Sequence, residues 1–357
     1  MSAKQIKIII NVLTIIALGI LIYISWPQIT AGLKEVAGAA KITIIALIIP
    51  LQAVNYYTVA KFYQDYLKNS GHQLPTKLMY KIALELNFVN HVFPSGGVAG
   101  FSYLGLRLRK YNIPVARTTL AQTMRFGLTF LSFLIILFIG MFLLSFGSGQ
   151  SGGGIAMFIG LSIAFLTLFM VVVVSFIISS ETRIKKFIAF LPKMANRISS
   201  KLVKKTYINI ERIERLCANL HQDFIIMRRD WRKQKRPFLW ALAINVTEIG
   251  TIYLAYVALG QLVNPGAVIL AYAIASFAGL ISVLPGGIGV YEALMTGVLT
   301  TAGVAKALAI SATLIYRIIC MVVFLPIGFL LYQLALRKGE ARAPSSESTN
   351  NTFTNAN

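Results

Sequence analysis

Six apolar runs dominate this chain, at residues 6–25, 42–60, 117–145, 155–179, 238–259 and 307–334. Each is long enough to cross the roughly 30 Å hydrocarbon core of a bilayer as a helix. Inside hydrocarbon the backbone must satisfy its own hydrogen bonds, and a helix does so within one segment. The composition agrees: 57% of the residues are hydrophobic and 13% are charged, which excludes a water-soluble fold. The first run follows Lys4 and Lys7 as a signal peptide would. Its core is long, however, and no small-x-small cleavage site comes before Trp26-Pro27, so it reads as an anchor helix. Two cysteines, Cys217 and Cys320, exclude a disulfide framework, and His72, His91 and His221 lack zinc-ligand spacing. No metal or cofactor is expected. Nothing resembles a Ser-His-Asp or Cys-His constellation either, so no catalytic residue is assigned and the chain is not expected to be an enzyme.

The net charge of +22 lies between the apolar runs rather than on a folded basic face, which argues against nucleic acid as a partner. Residues 181–236 alone hold 16 Lys+Arg against 5 Asp+Glu, a net of +11. Basic loops stay in the cytoplasm, so this insert faces inward, whereas the uncharged linkers 147–154 and 260–266 face outward. Both termini then fall in the cytoplasm, in keeping with Lys4, Lys7, Arg337, Lys338 and Arg342. The insert places Ile188, Leu191, Leu202, Ile210, Ile213 and Leu216 among its basic residues. This pattern suits a helix on anionic lipid or a surface for a cytoplasmic protein partner, with a solvated topogenic loop as the alternative. The tail, 337–357, is polar over most of its length and is expected to be disordered.

Two further stretches, 78–106 and 268–303, are apolar but interrupted, by Phe93-Pro94-Ser95-Gly96-Gly97 and by Leu284-Pro285-Gly286-Gly287. Proline removes a backbone donor and glycine loosens the chain, so each predicts two helical arms around an unwound tip. Lys61, Lys68 and Lys77 precede the first stretch and Arg107, Arg109 and Lys110 end it, so it enters from the cytoplasm and returns there. The second starts and ends on uncharged segments and enters from outside. Residues 1–148 and 149–336 thereby show the same order (helix, helix, broken hairpin, helix) in opposite orientations, with the basic insert 181–237 inside the second. Val115-Ala116-Arg117 echoes Val304-Ala305-Lys306, and Arg125 echoes Arg317. The expected fold is an all-α polytopic membrane protein, with six spanning helices and two re-entrant hairpins in a 3+3 inverted repeat. Full crossing by the hairpin arms, with Pro and Gly as mere bends, is the alternative.

The string Leu284-Pro285-Gly286-Gly287-Ile288-Gly289-Val290-Tyr291-Glu292, followed by Tyr316-Arg317, resembles the lysylphosphatidylglycerol synthase transmembrane-region family over roughly residues 6–336. That resemblance implies a multi-pass protein of a prokaryotic plasma (inner) membrane. It also implies work on membrane lipids, because the family region serves as the lipid-flipping half of aminoacyl-phosphatidylglycerol synthases and recurs beside polyprenyl-linked glycosyl transfer. In the first half the family's glutamate after the glycines is replaced by Gly100-Phe101-Ser102. Only 21 residues follow Leu336, so the soluble aminoacyltransferase domain of such synthases is not expected here.

Ionisable groups within a bilayer are costly and mark functional sites unless they are paired. Glu292, just past the second tip, can meet a headgroup amine or a proton, while Pro285, Gly286, Gly287 and Gly289 offer backbone amides to a phosphate. Arg317 lies 11 residues into its apolar run, about 16 Å at 1.5 Å per residue, near the midplane. It is expected either to contact substrate or to pair with Glu248 as packing. Lys81 and Glu85 are four apart and read as a structural pair. Asn87, Asn90 and His91 form a polar stripe that leads to the Pro94, Ser95, Gly96 and Gly97 tip, and Arg125 is shallow enough to snorkel. The function that follows is movement of a phospholipid or polyprenyl-linked lipid between leaflets, through a site between the two tips. A membrane subunit of a lipid-modifying transferase and a non-catalytic scaffold are the alternatives.

Overall fold

The computed structural model describes residues 42–93, 98–146, 153–184, 186, 221, 224–225, 229–281, 287 and 289–340, with Tyr23 and Pro27. Every regular element among the described residues is helical and none is a strand. Among the described residues five helices are long and apolar enough to cross a membrane: Thr43–Asn69, Val115–Ser145, Gly160–Ile178, Trp231–Ala258 and Lys306–Arg337. The sixth expected span, 6–25, lies outside the described residues apart from Tyr23, as do most of the basic insert (187–220) and the tail beyond Glu340.

The first long helix, α1 (Ile42–Asn69), ends in a turn where Gly71 takes φ 88° and the His72 amide donates to the Leu67 carbonyl. Pro75 then opens α2 (Thr76–Val92), which stops at an extended Phe93, the conformation that a following proline imposes. Next come α3 (Val98–Arg109), α4 (Val115–Phe146) and α5 (Gly153–Ile178). A 3₁₀ turn at Trp231–Gln234 leads into α6 (Lys235–Ala258). Past Gly260, with φ 74°, α7 (Pro265–Ile281) begins on a proline, which has no amide to leave unpaired at a helix start. Gly289, with φ 83°, starts α8 (Val290–Thr301). The last span is α9 (Lys306–Ile319), a π turn at Cys320–Phe324, and α10 (Leu325–Arg337). Pro326 cannot donate to the Val322 carbonyl, and the widened turn absorbs that missing bond.

Packing sets the two halves into each other. α1 lies along α6, tied by Asn55 Nδ2 to the Ile244 carbonyl and to Thr247 Oγ1, both at 2.9 Å. α6 is fixed to α4 by Asn245 Nδ2, which donates to the Thr129 carbonyl and to Ser132 Oγ at 2.9 Å. Beyond these pairs, α2 packs against α10, and α7 packs against α4. Both seams rest on glycine. A Cβ on Gly328 would lie 2.5 Å from the Leu84 carbonyl oxygen, and one on Gly266 would lie 2.2 Å from that of Gly140. α5 sits at the edge, with Phe158, Phe165, Phe169 and Phe176 exposed as on a lipid-facing helix.

Candidate functional site

The polar residues of these apolar helices converge. At the start of α8 the Gly289 backbone N–H donates to Glu292 Oε2 at 2.7 Å, which satisfies an amide the helix leaves without a partner. The other carboxylate oxygen receives Arg317 Nε at 2.6 Å. Arg317 also stands over the Tyr291 ring, 4.8 Å from its centroid. Its side chain is only 8% exposed and that of Glu292 12%, so the pair is largely out of contact with solvent or lipid. Two of the glycines expected around this tip, Gly287 and Gly289, take left-handed φ values of 65° and 83°, which only glycine adopts without strain. Pro94, Ser95, Gly96, Gly97, Pro285 and Gly286 lie outside the described residues.

Arg317 faces a cavity of about 250 Å³ in the middle of the bundle. His91, Asn90 and Asn87 reach it from α2, Arg125 from α4, and Glu248 from α6. α1 contributes Gln52, Asn55 and Tyr63. His91 Nδ1 is 2.9 Å from the Asn87 carbonyl, so it carries the proton and donates. A Cβ on Gly100 would come within 2.4 Å of Asn90 Oδ1, so the absence of a side chain there lets the two arms of the first hairpin close around Asn90. On the far side of the Glu292–Arg317 pair, a groove of about 750 Å³ runs between α8 and α9, lined by Glu292, Thr296, Thr300, Lys306 and Thr313. One partner of the ion pair therefore lines the groove and the other lines the cavity.

Two expected ion pairs are corrected. Arg317 pairs with Glu292 and not with Glu248, whose carboxylate instead accepts from Tyr316 Oη and, at 3.4 Å, from Gln52 Nε2. Similar depth on neighbouring helices did not decide the pairing; the direction of the Arg317 side chain toward the α8 start did. Glu85 is buried and pairs with Arg107 rather than Lys81. Arg107 Nε and Nη2 reach the two oxygens of Glu85 at 2.9 and 3.4 Å, Tyr103 Oη donates at 2.8 Å, and Lys81 is exposed. A two-point guanidinium contact in a buried seam outweighs a single lysine one helical turn away. Sequence reasoning also gave too little weight to Arg125, which lies in the cavity, and passed over Gln52, Asn55 and Tyr63. The 52, 55, 59, 63 spacing along an apolar helix was the signal available for that stripe. Among the described residues no cluster of His, Cys, Asp and Glu could hold a metal ion.

Residues 8–328 match the family described as the lysylphosphatidylglycerol synthase TM region. The chain belongs to that family. Within this synthase-type membrane region, the Gly-x-x-Glu end of the recognised string at residues 289–292 supplies both the start of α8 and the carboxylate that grips Arg317. The chain is also similar to a UPF0104 membrane protein of Methanothermobacter thermautotrophicus, 28% identical over 123 residues. That match covers 33% of this chain and 36% of the relative, so the two are alike over about a third of their lengths.

Proposed function

We propose that this protein moves a phospholipid or polyprenyl-linked lipid headgroup between the leaflets of a prokaryotic plasma membrane. The observation that carries the reading is the polar cavity itself, which gathers Arg125, Glu248, His91 and Arg317 in the middle of an apolar bundle. Charge in such a place is costly unless it serves a passage or a ligand. The 3+3 inverted repeat accounts for how it arises. Each half contributes two arms, α2 with α3 and α7 with α8, and the last of them, bounded by Gly289 and Ala302, is 12 residues long. A 12-residue helix is about 18 Å long, short of the roughly 30 Å core, as a re-entrant arm must be. Each longer arm packs on the last span of the opposite half, α2 on α10 and α7 on α4. With the basic insert and both termini in the cytoplasm, the α8–α9 groove opens toward the outer face and the cavity lies deeper. The Glu292–Arg317 pair separates them, and a lipid phosphate that takes Arg317 from Glu292 would join the two compartments. In this reading the chain transports lipid rather than transferring a group to it.

The test is purified protein in liposomes with headgroup-labelled phospholipids and polyprenyl-linked lipids, and an impermeant quencher to report the leaflet. Wild type should exchange label faster than empty liposomes. Glu292→Gln keeps the bond from Gly289, since an amide oxygen still accepts, and should slow exchange per folded molecule at least about tenfold, equivalent to about 1.4 kcal/mol in the barrier. No exchange by wild type with either lipid class would sink the reading.

A further inference from the structure

The cavity contains an arginine with no carboxylate in salt-bridge contact among the described residues. Arg125 is the eleventh residue of α4, deep in an apolar span. Its guanidinium stands 4.5 Å from the centroid of the Phe126 ring and 5.9 Å from that of Tyr63. Aromatic contact holds a guanidinium by its face and leaves the in-plane N–H groups for an acceptor. Arg125 Nε is buried and has no acceptor.

Two other orphans share the cavity. Gln52 is only 3% exposed, and with its Nε2 directed at Glu248 its Oε1 has no donor. Asn90 Oδ1, pressed against Gly100, is also buried without a donor. Unmet polar groups around a partly open cavity describe the complement of what fills it. They ask for one anion and for neutral hydroxyl donors. A headgroup ammonium finds no free carboxylate here, since Glu292 is held by Arg317 and Gly289, and Glu248 by Tyr316 and Gln52. At about 250 Å³ the space falls below the usual range for pockets that bury a whole drug-sized ligand, so it admits a headgroup and leaves the acyl chains in the bilayer.

We propose that Arg125 is the phosphate receptor of this cavity, with Gln52 and Asn90 accepting from hydroxyls, so that its ligand is a phosphate ester bearing a polyol headgroup such as glycerol or a sugar. The inference rests on the lipid-handling reading for the source of that ligand, and it concerns binding rather than movement.

Native mass spectrometry of the delipidated protein tests it with phosphatidylglycerol, phosphatidylethanolamine and phosphatidylcholine of identical acyl chains. Wild type should retain phosphatidylglycerol at least about tenfold better than the other two, as a guanidinium-anchored headgroup with hydroxyl donors requires. Arg125→Gln should abolish that preference while leaving the melting temperature near that of wild type. Displacement of phosphatidylglycerol by millimolar glycerol 1-phosphate would trace recognition to the headgroup alone, and failure to displace would trace it to the lipid; the receptor stands in both cases. Equal retention of the three lipids by wild type, which needs no variant to fold, would mean that water fills the orphans and would overturn the proposal. So would an Arg125→Gln protein that keeps the preference. Selective retention in a protein that moves no lipid would overturn the transport reading alone, and transport without selective retention would overturn this one alone.

Discussion

The two hairpins share the same order of arms and differ in character. A Cβ on Gly105 in α3 would meet Thr118 Oγ1 at 3.4 Å, whereas one on Gly297 in α8 would meet nothing within 4 Å. Near the starts of these two arms as described stand Gly100, closed over Asn90, and Glu292, which holds Arg317. The first hairpin is also bound to the end of the last helix. Arg107 links Glu85 to Glu340 at 2.8 Å, and Lys110 adds a second contact to Glu340 at 3.0 Å. Among the described residues the second hairpin has the Glu292–Arg317 ion pair near its tip, beside an open groove. The same order of arms therefore does not mean the same role: buried charge in the first hairpin fixes its base, and buried charge in the second lies where two polar spaces meet.

Breaking that contrast should have its largest effect on stability, at the first hairpin. Arg107→Met leaves Glu85 buried with only Tyr103 to answer it, and loss of one partner from a buried pair costs about 3–5 kcal/mol. Equilibrium unfolding in mixed micelles should show a loss of that size, while the exchange rate per folded molecule stays near wild type. The comparison with Glu292→Gln is the informative one, since that variant should lose rate per folded molecule whatever stability it gives up. An Arg107→Met protein that is stable but slow would give the first hairpin a part in transport and end the contrast drawn here.

What the sequence could not supply was direction. Hydropathy located the spans because burial in hydrocarbon leaves few choices, and Pro and Gly located the breaks because their backbone limits are local. The start of α8 was also legible, since Gly289 and Glu292 act three residues apart. Partners across helices were not. Depth along the helices pointed to Glu248 for Arg317, and which carboxylate it meets depends on how α6 and α8 are rotated about their axes. Lys81 was the near neighbour of Glu85 in sequence, but Arg107, twenty-two residues away, is the neighbour in space. Arg125 looked shallow when counted along its helix, and its enclosure comes from α1 and α2, which that count does not see.

A middle-sized effect should sharpen the comparison at the seams. Gly328 meets the Leu84 carbonyl and Gly266 the Gly140 carbonyl, so added methyl groups would strike backbone in both places. Neither carbonyl can move aside as a flexible side chain would, and overpacking of this kind costs about 1–3 kcal/mol. Gly328→Ala and Gly266→Ala should therefore destabilise similarly, which would locate the difference between the hairpins at their tips and outer faces. A Gly266→Ala variant as stable as wild type would show that the second hairpin is loosely held along its whole length.

The smallest effect tests the clamp at the base of the first hairpin through pH. Burial pushes the Glu340 carboxyl up, but the hydrogen bond from Lys110 and the charges of Arg107, Lys110 and Lys338 outweigh it and hold the group below its ordinary value. A carboxyl depressed in the folded state stabilises the fold above its unfolded pKa, near 4.3, and that stabilisation disappears as pH falls through the folded value. Since Lys110 is 56% exposed, screening limits the contribution to under about 1 kcal/mol. Glu340→Gln should accordingly be slightly less stable than wild type at pH 7, and the gap should close on acidification below about pH 4. A gap that persists unchanged into acid would mean that Glu340 holds the last helix through packing or hydrogen bonds that an uncharged side chain cannot replace. The ion clamp on the first hairpin would then reduce to Glu85 and Arg107 alone.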